Sequence, residues 1–140
     1  MLDGEITYRE GRYDEAFALL VEAVRRDDAL PYDEPWGWMQ PTRHALGALL
    51  LEQGRLADAA AVYAADLGLI ESLPRPQQHP DNVWALHGYH ECLTGLRLTD
   101  DADDVADRLQ AALEFADVPI HASCFCRRSV QRDQQCCEAD

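Results

Sequence analysis

Residues 47–63 read GALLLEQGRLADAAAVY, and the spacing inside this stretch decides the fold. Gly47 is followed by Gly54 seven residues on, Ala59 five further and Tyr63 four beyond that. The same ladder stands earlier, in GEITYREGRYDEAFALL at residues 4–20, as Gly4, Gly11, Ala16 and Leu20. A third copy opens with Gly88 and Gly95, again seven apart, but its alanines arrive two residues late, at Ala102 and Ala106. Two extra residues are therefore expected in the third turn. Antiparallel helices approach to about 8–10 Å, and the closest crossings need Gly or Ala facing the other helix. Self-similarity at intervals of 43 and then 41 residues reads as a repeat architecture.

Hydrophobic periodicity agrees. Ala16, Phe17, Leu20, Ala23 and Val24 form one stripe at three- and four-residue spacing. Leu56, Ala59, Ala60, Tyr63 and Leu67 repeat it, and Val105, Leu109, Ala112 and Leu113 do so more loosely. No segment sustains two-residue alternation. The expected helices are 2–9, 13–26, 41–53, 56–70, 82–96 and 101–116. Pro31, Pro35, Gly37 and Pro41, then Pro74, Pro76 and Pro80, punctuate two long connections between hairpins.

The pattern Trp-x2-Leu-Gly-x2-Tyr followed by Gly, Ala and an aromatic resembles the tetratricopeptide repeat. Leu46 and Gly47 match it in the second copy, with Arg43 in place of the tryptophan and Leu50 in place of the tyrosine. Trp84 and Gly88 match in the third, with His87 where leucine is usual, and Gly4, Gly11, Tyr13, Asp14, Glu15, Ala16 and Leu20 match in the first. The chain is also similar to a branch of that family without assigned function, which carries a Glu-Pro-x-x-Trp loop before a Pro-x-Arg-x-x-Leu-Gly helix. Here these are Glu34-Pro35-Trp36-Gly37-Trp38 and Pro41-Thr42-Arg43-His44-Ala45-Leu46-Gly47.

The resemblance implies an all-α fold of antiparallel helix hairpins stacked as a short right-handed solenoid of about three hairpins, the first truncated, over residues 1–126. A polar, disordered tail is expected at 127–140. The copies are longer than the family's period of about 34 residues, the excess lying in residues 30–40 and 73–82. Hairpins hide their apolar faces by stacking on neighbours, so the chain reads as a shortened member of a longer array.

Composition limits the function. The 140 residues carry 26 acidic against 12 basic side chains, a formal net charge of −14. Such a surface repels phosphate backbones and anionic lipid, so neither nucleic acid nor a membrane is expected as a partner. A basic peptide or protein is the electrostatically sensible ligand. The longest apolar run, residues 45–51, is too short to span a bilayer, and the start lacks a signal peptide's basic and apolar regions, so a cytoplasmic location is expected.

By the same resemblance, the first helix of each hairpin lines a groove for an extended peptide or partner helix. Register then places Glu5, Tyr8 and Arg9 in it from the first copy. The second supplies His44, Ala48, Leu51 and Glu52, and the third Ala85, Tyr89 and Cys92. The family's carboxylate-clamping groove is not expected, because His44 and Ala48 stand at its places. Tyr32, Trp36, Trp38 and Met39 concentrate large side chains in the first connection. They are expected to pack on the second hairpin, either as a plug between hairpins or as the wall of a ligand pocket.

His87 and His90 lie three apart on one helix, with Cys92 about 140–160° around from them. His121, Cys124 and Cys126 form a compact group downstream. Imidazole and thiolate are the ligands zinc and copper(I) prefer, so His87, His90, Cys124 and Cys126 are candidate metal ligands. In the competing reading, Ile120 and Phe125 cap the last hairpin and both thiols stay free. Catalysis has no support: there is no phosphate-binding glycine loop, no Gly-x-Ser-x-Gly elbow and no His-Glu-x2-His helix. No cofactor is expected. The aspartates of residues 100–104 read as caps of the last helix. The expected function is a protein- or peptide-binding scaffold, with a metal- or thiol-responsive version as the alternative.

Overall fold

The structure, a computed structural model, describes residues 1–31, 40–71 and 73–128. Among these residues there are six α-helices and no strand: α1 (Leu2–Arg9), α2 (Tyr13–Asp28), α3 (Thr42–Glu52), α4 (Leu56–Asp66), α5 (Val83–Leu96) and α6 (Thr99–Leu113). A single 3-10 turn, Arg75–Gln77, lies in the second connection. The helices pack pairwise in chain order, and α3 additionally touches α5. The first helices of the second and third hairpins are thereby neighbours.

The three hairpin turns share one backbone solution. Gly11 and Gly54 adopt φ of +81° and +70°. The next residue's amide reaches back five positions, Arg12 to Thr7 and Arg55 to Leu50, closing orphan carbonyls at the helix ends. In the third hairpin the left-handed residue is Arg97, at φ +62°, and Leu98 donates to the Leu93 carbonyl in the same way. Ala102 stands five residues after Arg97, as Ala16 does after Gly11 and Ala59 after Gly54. The two extra residues therefore lengthen α5 and leave the turn unchanged. Gly95 is a packing residue, with a methyl at its Cα falling 2.8 Å from Leu56 Cδ1.

Helix α2 runs two residues beyond expectation, to Asp28, α6 ends three short, at Leu113, both ends of α3 and the start of α5 shift by one, and two further boundaries have local causes. Helix α4 stops at Asp66, because Gly68 turns left-handed at φ +71° and Leu69 donates to the Ala64 carbonyl. Helix α6 begins at Thr99 with Leu98 as its N-cap and no capping side chain. Asp100 and Asp101 lie inside its first turn, where they face the positive end of the dipole without capping it.

The core is organised around Tyr63, which is fully buried. Its ring lies between Gly47 of α3 and Gly88 of α5. A methyl at Gly47 would stand 2.7 Å from Cε1, and one at Gly88 2.7 Å from Cε2. Gly4 does the same for Leu20, whose Cγ would lie 2.7 Å from a methyl there. The ends of α2 and α3 are tied by charge. Arg43 is buried and grips Asp28 with two parallel hydrogen bonds of 2.6 and 2.7 Å, and Thr42 Oγ1 donates to Asp27 at 2.9 Å. Arg43 thus has a structural role at the position where the resembled pattern carries tryptophan. Trp36, Trp38 and the rest of 32–39 lie outside the described residues, as does the expected tail from 129 onward.

Alanine at either glycine beside Tyr63 overpacks a ring held on both edges, a change that costs about 1–3 kcal/mol. Urea unfolding of Gly47→Ala and Gly88→Ala is expected to show this loss, and each loss is expected to shrink in a Tyr63→Leu background, where the two sites couple.

A left-handed non-glycine residue costs roughly 1–2 kcal/mol. Arg97→Gly is therefore expected to raise stability by about 1 kcal/mol, while Gly54→Ala lowers it by a similar amount; equal midpoints for both variants and the parent would refute the shared-turn account.

Candidate functional site

After α6 the chain reverses, and residues 121–128 return across the first helices of the hairpins. Ser123, buried, shares a short hydrogen bond with the Tyr63 hydroxyl. Burial pushes the Tyr63 phenol far above its usual pKa, so this group is a neutral hydrogen-bonding hydroxyl. Phe125 meets Trp84 of α5 edge-on, ring centroids 5.5 Å apart. Arg127 pairs with Glu91 of α5 at 2.6 Å. Arg9 of α1 donates to the Cys126 carbonyl and pairs with Glu52 of α3 at 3.0 Å. The other oxygen of Glu52 accepts the Arg128 backbone amide at 3.1 Å. Helices α1, α3 and α5 all contribute, and the contacted groups of the segment include both main chain and side chains.

Cys124 and Cys126 form a disulfide, and Gln40 donates to Cys124 Sγ at 3.3 Å. The pair expected as free thiols or thiolate ligands is joined instead, and a disulfide offers no thiolate to a metal. Among the described residues no group of three or more His, Cys, Asp and Glu side chains is placed to hold a metal ion. Cys92 is fully buried, and burial pushes its thiol up to about 12. His87 Nδ1 is buried without a hydrogen-bond partner. Burial holds its ring below the ordinary imidazole value, against the opposing pull of Glu91 and with Arg127 adding to the effect. The apolar-cap reading is met in part, since Phe125 touches Trp84 yet is 75% exposed.

The groove residues assigned by register separate into two groups. Arg9 and Glu52 lie on the face that holds the returning segment. Tyr8, His44, Leu51 and Cys92 are buried in the helix packing. Tyr8 meets Tyr13 at a tilt and Phe17 edge-on, and accepts from Gln53 Nε2 at 2.7 Å. Tyr89 is half-buried against the core. The register fails because these helices are packed on several sides, which buries positions that a single exposed face would present. Trp84 and Glu91, unassigned from sequence, are the residues of α5 that meet the segment.

A second polar cluster is internal. Asp66, fully buried at the end of α4, accepts from His44 Nε2 at 3.0 Å and from His79 Nδ1 at 2.7 Å. Because the acceptor is a carboxylate, both ring nitrogens carry hydrogen. The His79 amide also donates to the Asp66 carbonyl at 2.6 Å, so one residue anchors the second connection to α3 and α4. Burial alone raises the Asp66 pKa; the hydrogen bonds from His44 and His79 outweigh it and hold the carboxyl below its ordinary value. His44 is therefore a structural partner of Asp66 and is not presented to a ligand.

Set beside protein-family models, curated proteins and solved structures, the chain matches none. Among the described residues, no helix is long and apolar enough to cross a membrane.

Asp66→Asn leaves a buried imidazole imperfectly paired and is expected to cost about 1–3 kcal/mol near neutral pH. A lowered folded-state pKa makes the carboxylate's contribution complete above its ordinary value of 3.8 and lost as pH falls through the lowered value. The stability gap between parent and Asp66→Asn, followed by denaturant unfolding, is thus expected to be constant well above pH 3.8 and to close below it.

Proposed function

We propose that this chain is a protein- or peptide-binding scaffold of the tetratricopeptide type, a right-handed stack of hairpins whose first helices present the binding face. One observation carries the reading: a non-helical stretch of the chain's own sequence, residues 121–128, is held by α1, α3 and α5 together. The support is chemical as well as topological. Arg9 and Glu52 engage main-chain carbonyl and amide groups, which any peptide offers, while Trp84 and Glu91 engage side chains, which differ between peptides. The three equivalent turns and the glycine contacts at Gly4, Gly47 and Gly88 support the repeat assignment. The face carries Glu52 and Glu91 on a chain of net charge −14, which favours a basic peptide.

Selection of a random peptide display library on the full-length Arg127→Glu chain tests the module. The expected result is a set of peptides whose binding falls at least tenfold when Trp84→Ala is added. A library that yields no such peptide would remove the reading.

A further inference from the structure

We propose that Trp84, Glu91, Glu52 and Arg9 form a site for an arginine-bearing peptide with an aromatic residue two positions before the arginine, and that residues 125–128 are its resident competitor. The inference rests on the peptide-binding reading above and names the ligand class of that same face.

The geometry sets the ligand's form. Phe125 on Trp84 and Arg127 on Glu91 lie two residues apart, both engaging α5. Between them Arg9 donates to the carbonyl of Cys126, and just beyond them Glu52 accepts the amide of Arg128. A ligand therefore needs an aromatic ring, one intervening residue that offers its carbonyl, and an arginine followed by a residue with a free amide. Arginine suits the last side-chain position because its planar head pairs with a carboxylate along a defined direction. The chain itself uses arginine for all twelve of its basic side chains and has no lysine.

Ser123 and Cys124 are buried and anchor the segment in the core, so the part a competitor replaces is residues 125–128, which make the contacts with Trp84, Arg9, Glu91 and Glu52. Phe125 is 75% exposed, and the Glu91 side chain that grips Arg127 is itself 36% exposed. Tethering gives the segment a high effective concentration at the face, of about millimolar order for short flexible linkers. A free peptide then sees only the fraction of molecules whose face is open, and its apparent affinity is lowered by that fraction. Weakening the segment without touching the face raises apparent affinity, and weakening the face lowers it.

The probe is a fluorescein-labelled synthetic peptide of residues 119–128 with its two cysteines joined, titrated by anisotropy against full-length chains. Arg127→Glu sets like charge against Glu91 and frees the face. This variant is expected to bind the probe at least tenfold more tightly than the parent, and adding Glu91→Gln is expected to cost at least tenfold. Equal binding by parent and Arg127→Glu, or indifference to Glu91→Gln, overturns the proposal. Should circular dichroism show Arg127→Glu unfolded, hydrogen exchange on the parent chain decides. Excess unlabelled peptide is then expected to speed exchange of amides 125–128, and unchanged exchange overturns the proposal. A display selection that enriches peptides lacking arginine also overturns it while leaving the module reading standing, whereas a selection with no binders removes both.

Discussion

The placement of Tyr63 between two glycines is the constraint on which the rest of the structure depends. Its ring belongs to α4 but fills the space between α3 and α5, and only the missing side chains of Gly47 and Gly88 let it lie there. Three helices from two hairpins are thereby set by one side chain. The hydroxyl, at the far end of the same ring, meets Ser123 of the returning segment. Packing of the second hairpin on the third and the seating of residues 121–128 are thus linked through one residue. A buried phenol needs a hydrogen-bond partner, and Ser123 supplies one from outside the helices.

The fold was legible in the sequence where its demands are local. A left-handed turn asks for glycine, and Gly11 and Gly54 announce two turns. The third was misplaced because glycine serves two purposes that look identical in sequence. Gly95 permits close approach to Leu56, while the turn falls on Arg97. The spacing that marks Arg97, five residues before Ala102, was present and is the better guide, since it follows from the turn's hydrogen bonds and not from residue type. Tyr63 was readable as a member of an apolar stripe, but its two glycine neighbours lie 41 residues apart and are joined only by tertiary packing.

The face that holds residues 121–128 was legible only in part. Register assigned Arg9 and Glu52, both of which hold the segment, and Phe125 was expected on the last hairpin, where it meets Trp84. Register transfer failed for His44 for an identifiable reason. A buried carboxylate at Asp66 recruits it, and that carboxylate had its own mark in the sequence, an aspartate set within the apolar run Ala64-Ala65-Asp66-Leu67. Burying a charge is costly unless it is fully hydrogen-bonded, so an acidic residue in such a run calls for donors elsewhere in the chain. His44 and His79 are those donors.

The two polar systems divide the work of the second hairpin. Asp66 sits at the C-terminal end of α4, fully withdrawn from water, and fastens the long second connection. Glu52 and Glu91 keep some contact with water, their side chains 15% and 36% exposed, and pair with Arg9 and Arg127. Placing the permanent charge inside and the exchangeable charges outside has an energetic logic. A buried ion pair that loses one partner leaves an uncompensated charge in a medium that cannot solvate it, whereas an exposed carboxylate losing its arginine is resolvated by water. The internal cluster therefore resists opening more strongly than the outer pairs do. Ser123 and Cys124 belong to the core through the Tyr63 hydroxyl and the apolar packing, while residues 125–128 belong to the outer pairs, so the boundary between the two systems runs through the returning segment itself.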